Sequence, residues 1–250
     1  MRRLNGRHVG VGMALALVLG ASSLAQAQTP DPESKWSAEF GIGWDNSISG
    51  NINSSAIGSI NNTAVVITKN TYDDVYNKGL HMRFGGGYML NEDLEARVTF
   101  TFQSADAELA RMGDYGVSNL YGQYSDYQTF GLDLGLRKYM TVSPMFRVYG
   151  EGTIGPGFVD KIDVTLVAPA VNLFRDATDF YDQTVSFAVA GNGGVLFRTG
   201  ERSDFFAQAG IRWVSGLGDV DSLLGTSLET INNKSARWTM PFLVGVRFRF

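Results

Sequence analysis

The final ten residues read Pro-Phe-Leu-Val-Gly-Val-Arg-Phe-Arg-Phe, and they constrain the fold more than any other stretch. Counting back by two from Phe250 gives Phe248, Val246, Val244, Phe242, Met240 and Trp238, all apolar. The other parity gives Arg249, Arg247, Gly245, Leu243, Pro241, Thr239 and Arg237. A period of two is that of a β-strand, whose successive side chains point to opposite faces. A strand with one wholly apolar face, ending on a bare aromatic, suits a wall segment of a membrane β-barrel with its apolar side outward.

The opposite end agrees. Arg2, Arg3 and Arg7 precede an apolar run over 9–24, and Ala25-Gln26-Ala27 fits an A-x-A cleavage site. Residues 1–27 are therefore expected to be a secretory signal peptide, with residues 28–250 as one β-barrel domain. The whole chain carries a net charge of −4, and cleavage would make it more acidic, which argues against nucleic acid as a general partner. Without cysteine, neither a disulfide framework nor a cysteine metal site is available. No apolar stretch after residue 27 is long enough for a transmembrane helix.

Eight segments alternate with period two: 36–44, 80–90, 94–103, 129–140, 145–155, 184–198, 205–213 and the terminal strand. Short turns are expected after the second, fourth and sixth, and long connections over 45–79, 104–128, 156–183 and 214–236. That alternation is the pattern of short periplasmic turns and long extracellular loops, so the expected fold is an all-β, eight-stranded antiparallel transmembrane barrel. An even count allows closure, which lipid requires because it leaves no water for an open edge. A soluble sandwich would show similar alternation but would bury the apolar face. Charge supports the register: Lys138 alone falls on the apolar face, close enough to a strand end to snorkel.

The plan resembles the small bacterial outer-membrane barrels of the OmpA/OmpX type, over nearly all of residues 28–250. The resemblance rests on the terminal phenylalanine pattern, the strand count and the loop alternation. It implies that Phe242, Val244, Val246, Phe248 and Phe250 form a signal read by the barrel-assembly machinery. It also implies outer-membrane lipids and lipopolysaccharide as partners. The resemblance extends to the barrel domain alone and not to a peptidoglycan-binding domain, so anchoring to the cell wall is not among the expectations.

Chemistry is to be sought first in the lumen. The inward charges are Glu39, Arg83, Glu95, Arg97, Asp133, Arg137, Arg147, Glu151, Arg198, Arg212, Arg237, Arg247 and Arg249, with arginine in excess. An eight-stranded lumen is just wide enough to be filled by side chains. The set reads as an ion-paired plug, or else as a narrow basic constriction favouring small anions. His81, the one histidine after residue 27, faces the lumen. Two lipid A-modifying barrel families use a surface histidine with serine and an acid, but Met82-Arg83 follows His81 and the H-x-S spacing of the deacylase is missing. Gly150-Glu-Gly-Thr-Ile-Gly155 matches G-x-G-x-x-G yet sits on a strand, where dinucleotide binding has no basis. The sequence asks for no cofactor.

The loops carry further signals. Residues 65–68 extend a hairpin beyond the membrane, 105–112 suit a short helix, and 166–174 are more apolar than a free loop. Asn61-Asn62-Thr63 matches a glycosylation sequon at about chance level, and Pro241 is expected to mark a bulge. Asp73, Asp74, Asp176, Asp179, Asp182, Asp219 and Asp221 read as solvated surface charge rather than as a calcium loop. The expected function is a non-enzymatic outer-membrane barrel with a structural or surface-interaction role, presenting loops to lipopolysaccharide, host surfaces or phage. An anion-favouring pore is the alternative, and a lipid-modifying enzyme comes third.

Overall fold

The computed structural model describes residues 35–219, 228, 231, 232 and 236–250. The expected signal peptide, 1–27, and Asp221 lie outside the described residues. Along the chain come β1 (Trp36–Ser49), β2 (Asn51–Asn53), β3 (Ala56–Ile60), β4 (Thr63–Ile67), β5 (Asn70–Thr71) and α1 (Tyr72–Val75). Then follow β6 (Gly79–Met89), β7 (Leu94–Ala105), β8 (Leu109–Tyr115), β9 (Ser118–Tyr124), β10 (Tyr127–Ser143) and β11 (Phe146–Val159). The chain continues through β12 (Ile162–Ala168), a 3₁₀ turn at Pro169–Val171, β13 (Leu173–Asp182) and β14 (Thr184–Arg198). It ends with β15 (Ser203–Val214), β16 (Gly218–Asp219) and β17 (Arg237–Arg249).

Eight of these strands close a barrel in the order β1-β17-β15-β14-β11-β10-β7-β6, with β6 pairing back onto β1. Every ladder is antiparallel, and each expected strand is present. The two ends of the chain lock the seam. The Trp36 N–H donates to the Phe250 carbonyl at 3.2 Å, and the Phe250 N–H returns a bond to Trp36 at 3.0 Å. The turns 90–93, 144–145 and 199–202 are short. In the first, the Asn91 side-chain oxygen accepts from the N–H groups of Asp93 and Leu94 at 3.0 and 2.9 Å, an Asx turn that fixes the register.

Which face is buried decides between a membrane wall and a soluble sandwich. Phe84, Phe100, Phe130, Leu134, Ile154 and Phe205 stand exposed on the outside, while Glu39, Glu95, Arg97 and Arg137 are buried within. That is the inverse of a sandwich and fits lipid outside with polar packing inside. Aromatic pairs mark both ends of the wall. Trp36 and Tyr88 have ring centroids 4.8 Å apart at one end, and Trp44 and Phe242 are 4.7 Å apart at the other.

Two details depart from the sequence reading. Pro241 keeps register opposite Asp45, and the shift between β1 and β17 falls between Ser47 and Ser49 instead. The missing proline N–H interrupts the β15–β17 ladder without displacing the strand, because the pairs Ala209–Phe242 and Arg212–Thr239 belong to one register. The helix expected over 105–112 is also absent. Ala105 closes β7, and β8 runs from Leu109, with Ala110 and Met112 both buried. Tertiary burial of these side chains overrides a local preference for helix.

Beyond the membrane the strands do not dissolve into loops. Seven form a second sheet in the order β16-β13-β12-β9-β8-β4-β3, continuing the circumference above the barrel mouth. Here the amphipathic sense reverses. Ile67, Met112, Leu120, Tyr124, Val164 and Phe180 point into an apolar core, because water rather than lipid now surrounds the sheet. Ala105, Tyr127 and Val159, at the outer ends of barrel strands, join that core.

The β3–β4 hairpin turns on Asn61 and Asn62, both left-handed at φ 52° and 63°, the dihedral pair of a type I′ turn. α1 begins with a reciprocal capping box between Thr71 and Asp74. Asn62→Val is expected to cost about 1–2 kcal/mol, since a β-branched residue resists the left-handed region. The measurement is faster hydrogen exchange of the β3–β4 amides, with Asn62→Gly leaving exchange unchanged or slower.

Candidate functional site

Midway through the barrel, the lumen is filled by one ion-pair network drawn from several strands. Arg137 on β10 holds Glu39 on β1 with two bonds, at 2.6 and 3.0 Å, and donates from Nε to Glu151 at 2.7 Å. Arg97 on β7 touches three carboxylates: Glu39 at 3.1 Å, Glu95 at 3.1 Å and Glu151 at 3.2 Å. Arg83 pairs with Glu151 and also donates to Gln208 at 3.1 Å. Arg247 donates to Glu95 at 2.8 Å, and Ser37 and Tyr139 give Glu95 two further hydroxyl bonds. The Tyr149 ring lies 4.1 Å from the Arg137 guanidinium, and its hydroxyl donates to Gln208 at 3.0 Å.

Glycines make this density possible. A Cβ on Gly87 would sit 2.2 Å from the Glu95 carboxylate, and one on Gly194 would sit 2.3 Å from the Tyr149 ring. The glycine clusters on β6 and β14 thus leave room for the plug, as expected of glycine in a strand interior.

Toward the mouth, pairs replace the network. Arg212 holds Asp133 at 2.8 Å, and Gln103 donates to Asp45 at 2.6 Å. Arg237 donates to Ser47 at 3.1 Å, with its guanidinium 4.3 Å from the Tyr127 ring and 5.3 Å from Tyr72. Between these tiers His81, Asp133 and Arg212 line a cavity of about 20 Å³, room for roughly one water. His81 is buried, and neither ring nitrogen has a partner among the described residues.

The expected excess of positive charge is corrected by burial. Six arginines are buried in the barrel (Arg83, Arg97, Arg137, Arg212, Arg237 and Arg247), facing six buried carboxylates: Glu39, Asp45, Glu95, Asp133, Glu151 and Asp204. Arg147, Arg198 and Arg249 sit instead at the barrel rim that carries the short turns. Arg147 donates to the Glu92 carbonyl at 3.1 Å and stacks 4.3 Å from the Tyr139 ring, Arg198 is exposed, and Arg249 meets Asp204 at 3.2 Å. Sequence reasoning missed Asp45 and Asp204 because both lie just past the apolar windows that defined the strands. Parity alone would have found them: Asp45 continues the series Ser37, Glu39, Gly41, Gly43, and Asp204 immediately precedes Phe205.

The other predicted residues are spread over the surface. Phe242, Val244, Val246, Phe248 and Phe250 line the outer wall, partly or fully exposed. Among the loop acids, Asp74 caps α1, and Asp179 and Asp163 flank Lys161 at 3.0 and 3.2 Å. These partners hold Lys161 above the usual lysine range.

Above the plug, the apolar core closes the mouth. The Tyr181 hydroxyl donates to the Ile52 carbonyl at 2.7 Å, and the Tyr124 hydroxyl donates to Asn53 at 3.0 Å. Burial pushes the Tyr72 and Tyr124 phenols well above their ordinary range, so both stay neutral. From the fourth loop, Leu228 and Ile231 drop into this core, and Ile231 accepts the Ser54 N–H at 2.7 Å.

No family model matches the sequence, and no curated protein sequence is similar to it. Several solved structures are similar in fold. The outer-membrane protein OprG of Pseudomonas aeruginosa is 13% identical with a TM-score of 0.46, over 87% of this chain and 96% of its own. Neisserial surface protein A is 13% identical with a TM-score of 0.43, over 86% and 97%. The outer-membrane protease OmpT of Escherichia coli is 10% identical with a TM-score of 0.40, over 90% and 99%. By its own ladders and wall chemistry, the chain is a closed eight-stranded antiparallel β-barrel, the fold class that small outer-membrane barrels share.

Proposed function

We propose that the protein is a non-conducting, non-enzymatic barrel of the bacterial outer membrane, acting through the folded extracellular cap and through its structural presence in the envelope. The observation that carries this reading is the double closure of the lumen. A charge-balanced plug fills the centre, and an apolar core covers the mouth. A pore would need continuous wetted clearance, and an anion filter would need uncompensated positive charge. The balance of six buried arginines against six buried carboxylates argues against both.

An enzymatic role has little support in the geometry. His81 is 3% exposed, and among the described residues its nitrogens meet neither a hydroxyl nor a carboxylate. It cannot reach a lipid at the outer wall. The proposed partners are outer-membrane lipids with lipopolysaccharide around the wall, the assembly machinery at the terminal strand, and a surface ligand at the cap.

The experiment is fractionation combined with cap variants in cells. The native protein is expected in the outer-membrane fraction, with a heat-modifiable gel mobility. Replacing the exposed cap residues Val117 and Phe174 with Ser is expected to preserve folding and envelope integrity while weakening surface interactions. Recovery of the native protein as a soluble species would overturn the membrane reading. Loss of a lipid modification in His81→Ala would restore the enzyme.

A further inference from the structure

We infer that the extracellular cap holds a binding site for a small anionic amphiphile, with its apolar part inside the cap core and its acid group on Arg175. The inference deepens the surface-interaction reading and rests on it for the cap's exposure outside the membrane. A cavity of about 120 Å³ lies inside the curled sheet, walled by Ile67, Met112, Val164, Phe180 and Ile231. It is not sealed, and Ser59, Thr178 and Arg175 also line it. Hydrophobic walls with a few placed polar groups are the general make-up of small-molecule sites.

Arg175 supplies the charge argument. In the β12–β13 ladder it pairs with Leu166, whereas the neighbouring pair, Val167 and Phe174, belongs to the opposite face. Cross-strand partners share a face, so Arg175 stands on the side that packs Leu166 and Leu173 against the core. Its side chain is exposed to solvent, lines the cavity and makes no ion pair among the described residues. A lone guanidinium at an apolar cavity suits a carboxylate attached to a compact hydrocarbon.

Volume limits the ligand. An apolar cavity of roughly 150 Å³ accepts benzene, so about 120 Å³ with an open side takes one ring or a short alkyl chain. A long acyl chain does not fit. The ligand class is therefore a monocarboxylate with a ring-sized or short-chain apolar group.

The test uses the full protein in lipid nanodiscs with ¹³C-methyl methionine labelling, following the buried Met112 methyl. Benzoate is the anionic probe, and benzyl alcohol is the neutral probe of similar size. Benzoate is expected to shift the Met112 signal saturably. Arg175→Gln is expected to weaken benzoate at least tenfold while leaving benzyl alcohol unchanged. Leu166→Trp, checked for folding by heat-modifiable mobility, fills the cavity and is expected to abolish both. Any of three results would overturn the inference: no saturable benzoate shift in the native protein, equal benzoate affinity in Arg175→Gln, or undiminished binding in Leu166→Trp. None of them bears on lumen closure or membrane location, which the conductance and fractionation experiments read separately.

Discussion

Glu151→Ala is expected to lower the unfolding free energy by about 3–5 kcal/mol, the cost of removing one partner from a buried ion pair. Glu151 is the carboxylate that Arg83, Arg97 and Arg137 share, so its loss leaves Arg83 with no carboxylate and takes one from Arg97 and Arg137, which keep Glu39, in a lumen with little room for water. Glu151→Gln keeps the shape and some bonding but not the charge, and is expected to fall between the two. The expected size does not mean that the network stabilises the fold by that amount. Desolvation of the ions offsets most of their attraction, and an apolar plug of the same shape would do about as well. The measurement is a urea titration in lipid vesicles, followed by tryptophan fluorescence. A change under about 1 kcal/mol, the range of exposed pairs, would mean that the lumen is wet.

Phe180→Ala should act on the cap by a different mechanism. Phe180 is 1% exposed and meets Tyr124 and Tyr181 edge-on, at centroid distances of 5.5 and 5.0 Å. Truncating a buried phenylalanine costs about 3–5 kcal/mol through lost transfer energy and the void left behind. The barrel ladders lie below this core, so the loss should be confined to the cap. Limited proteolysis is expected to cut within the cap strands while the protected barrel keeps its heat-modifiable mobility. If the cap resisted protease as well as the native protein does, its apolar core would not be what holds it together. Unfolding of the whole protein in one step would instead show that cap and barrel form a single cooperative unit.

The wall was legible because lipid demands one rule of every strand. Apolar outward and polar inward over ten residues or so leaves a period-two trace that survives without any structure. The β14 bounds agree with the expected 184–198, and the faces agree on every barrel strand. The cap was less legible because the same rule inverts above the membrane. Ile162, Val164 and Ala168 alternate as regularly as a wall strand does, but their apolar side points inward. Judged by lipid-facing parity, residues 166–174 read as an oddly apolar stretch of loop, whereas they lie in the β12–β13 hairpin of a second sheet. Pairing across loops, such as β4 with β8 and β9 with β12, leaves no local trace.

The plug shows the same division. Parity placed Glu39, Glu95, Arg97, Arg137 and Glu151 inside, and they do meet there. The sign of the lumen was misjudged because charge depends on depth as well as face. Arg147, Arg198 and Arg249 share the inward parity yet reach the rim, where Arg198 is exposed and the other two are half-buried, and Asp45 and Asp204 supply the missing negative charge. Tyr139 and Tyr149 also have lumen parity, and their role as stacking partners needed only the geometry to see it.

Closure of the lumen is the central claim, and conductance of the purified protein in planar lipid bilayers tests it most directly. With the Glu39, Glu95 and Glu151 network in place and the cap folded, the current at either polarity should match that of protein-free membranes. Reproducible unitary steps, selective for anions and abolished by neutralising Arg147 and Arg247, would contradict it and make the barrel a channel.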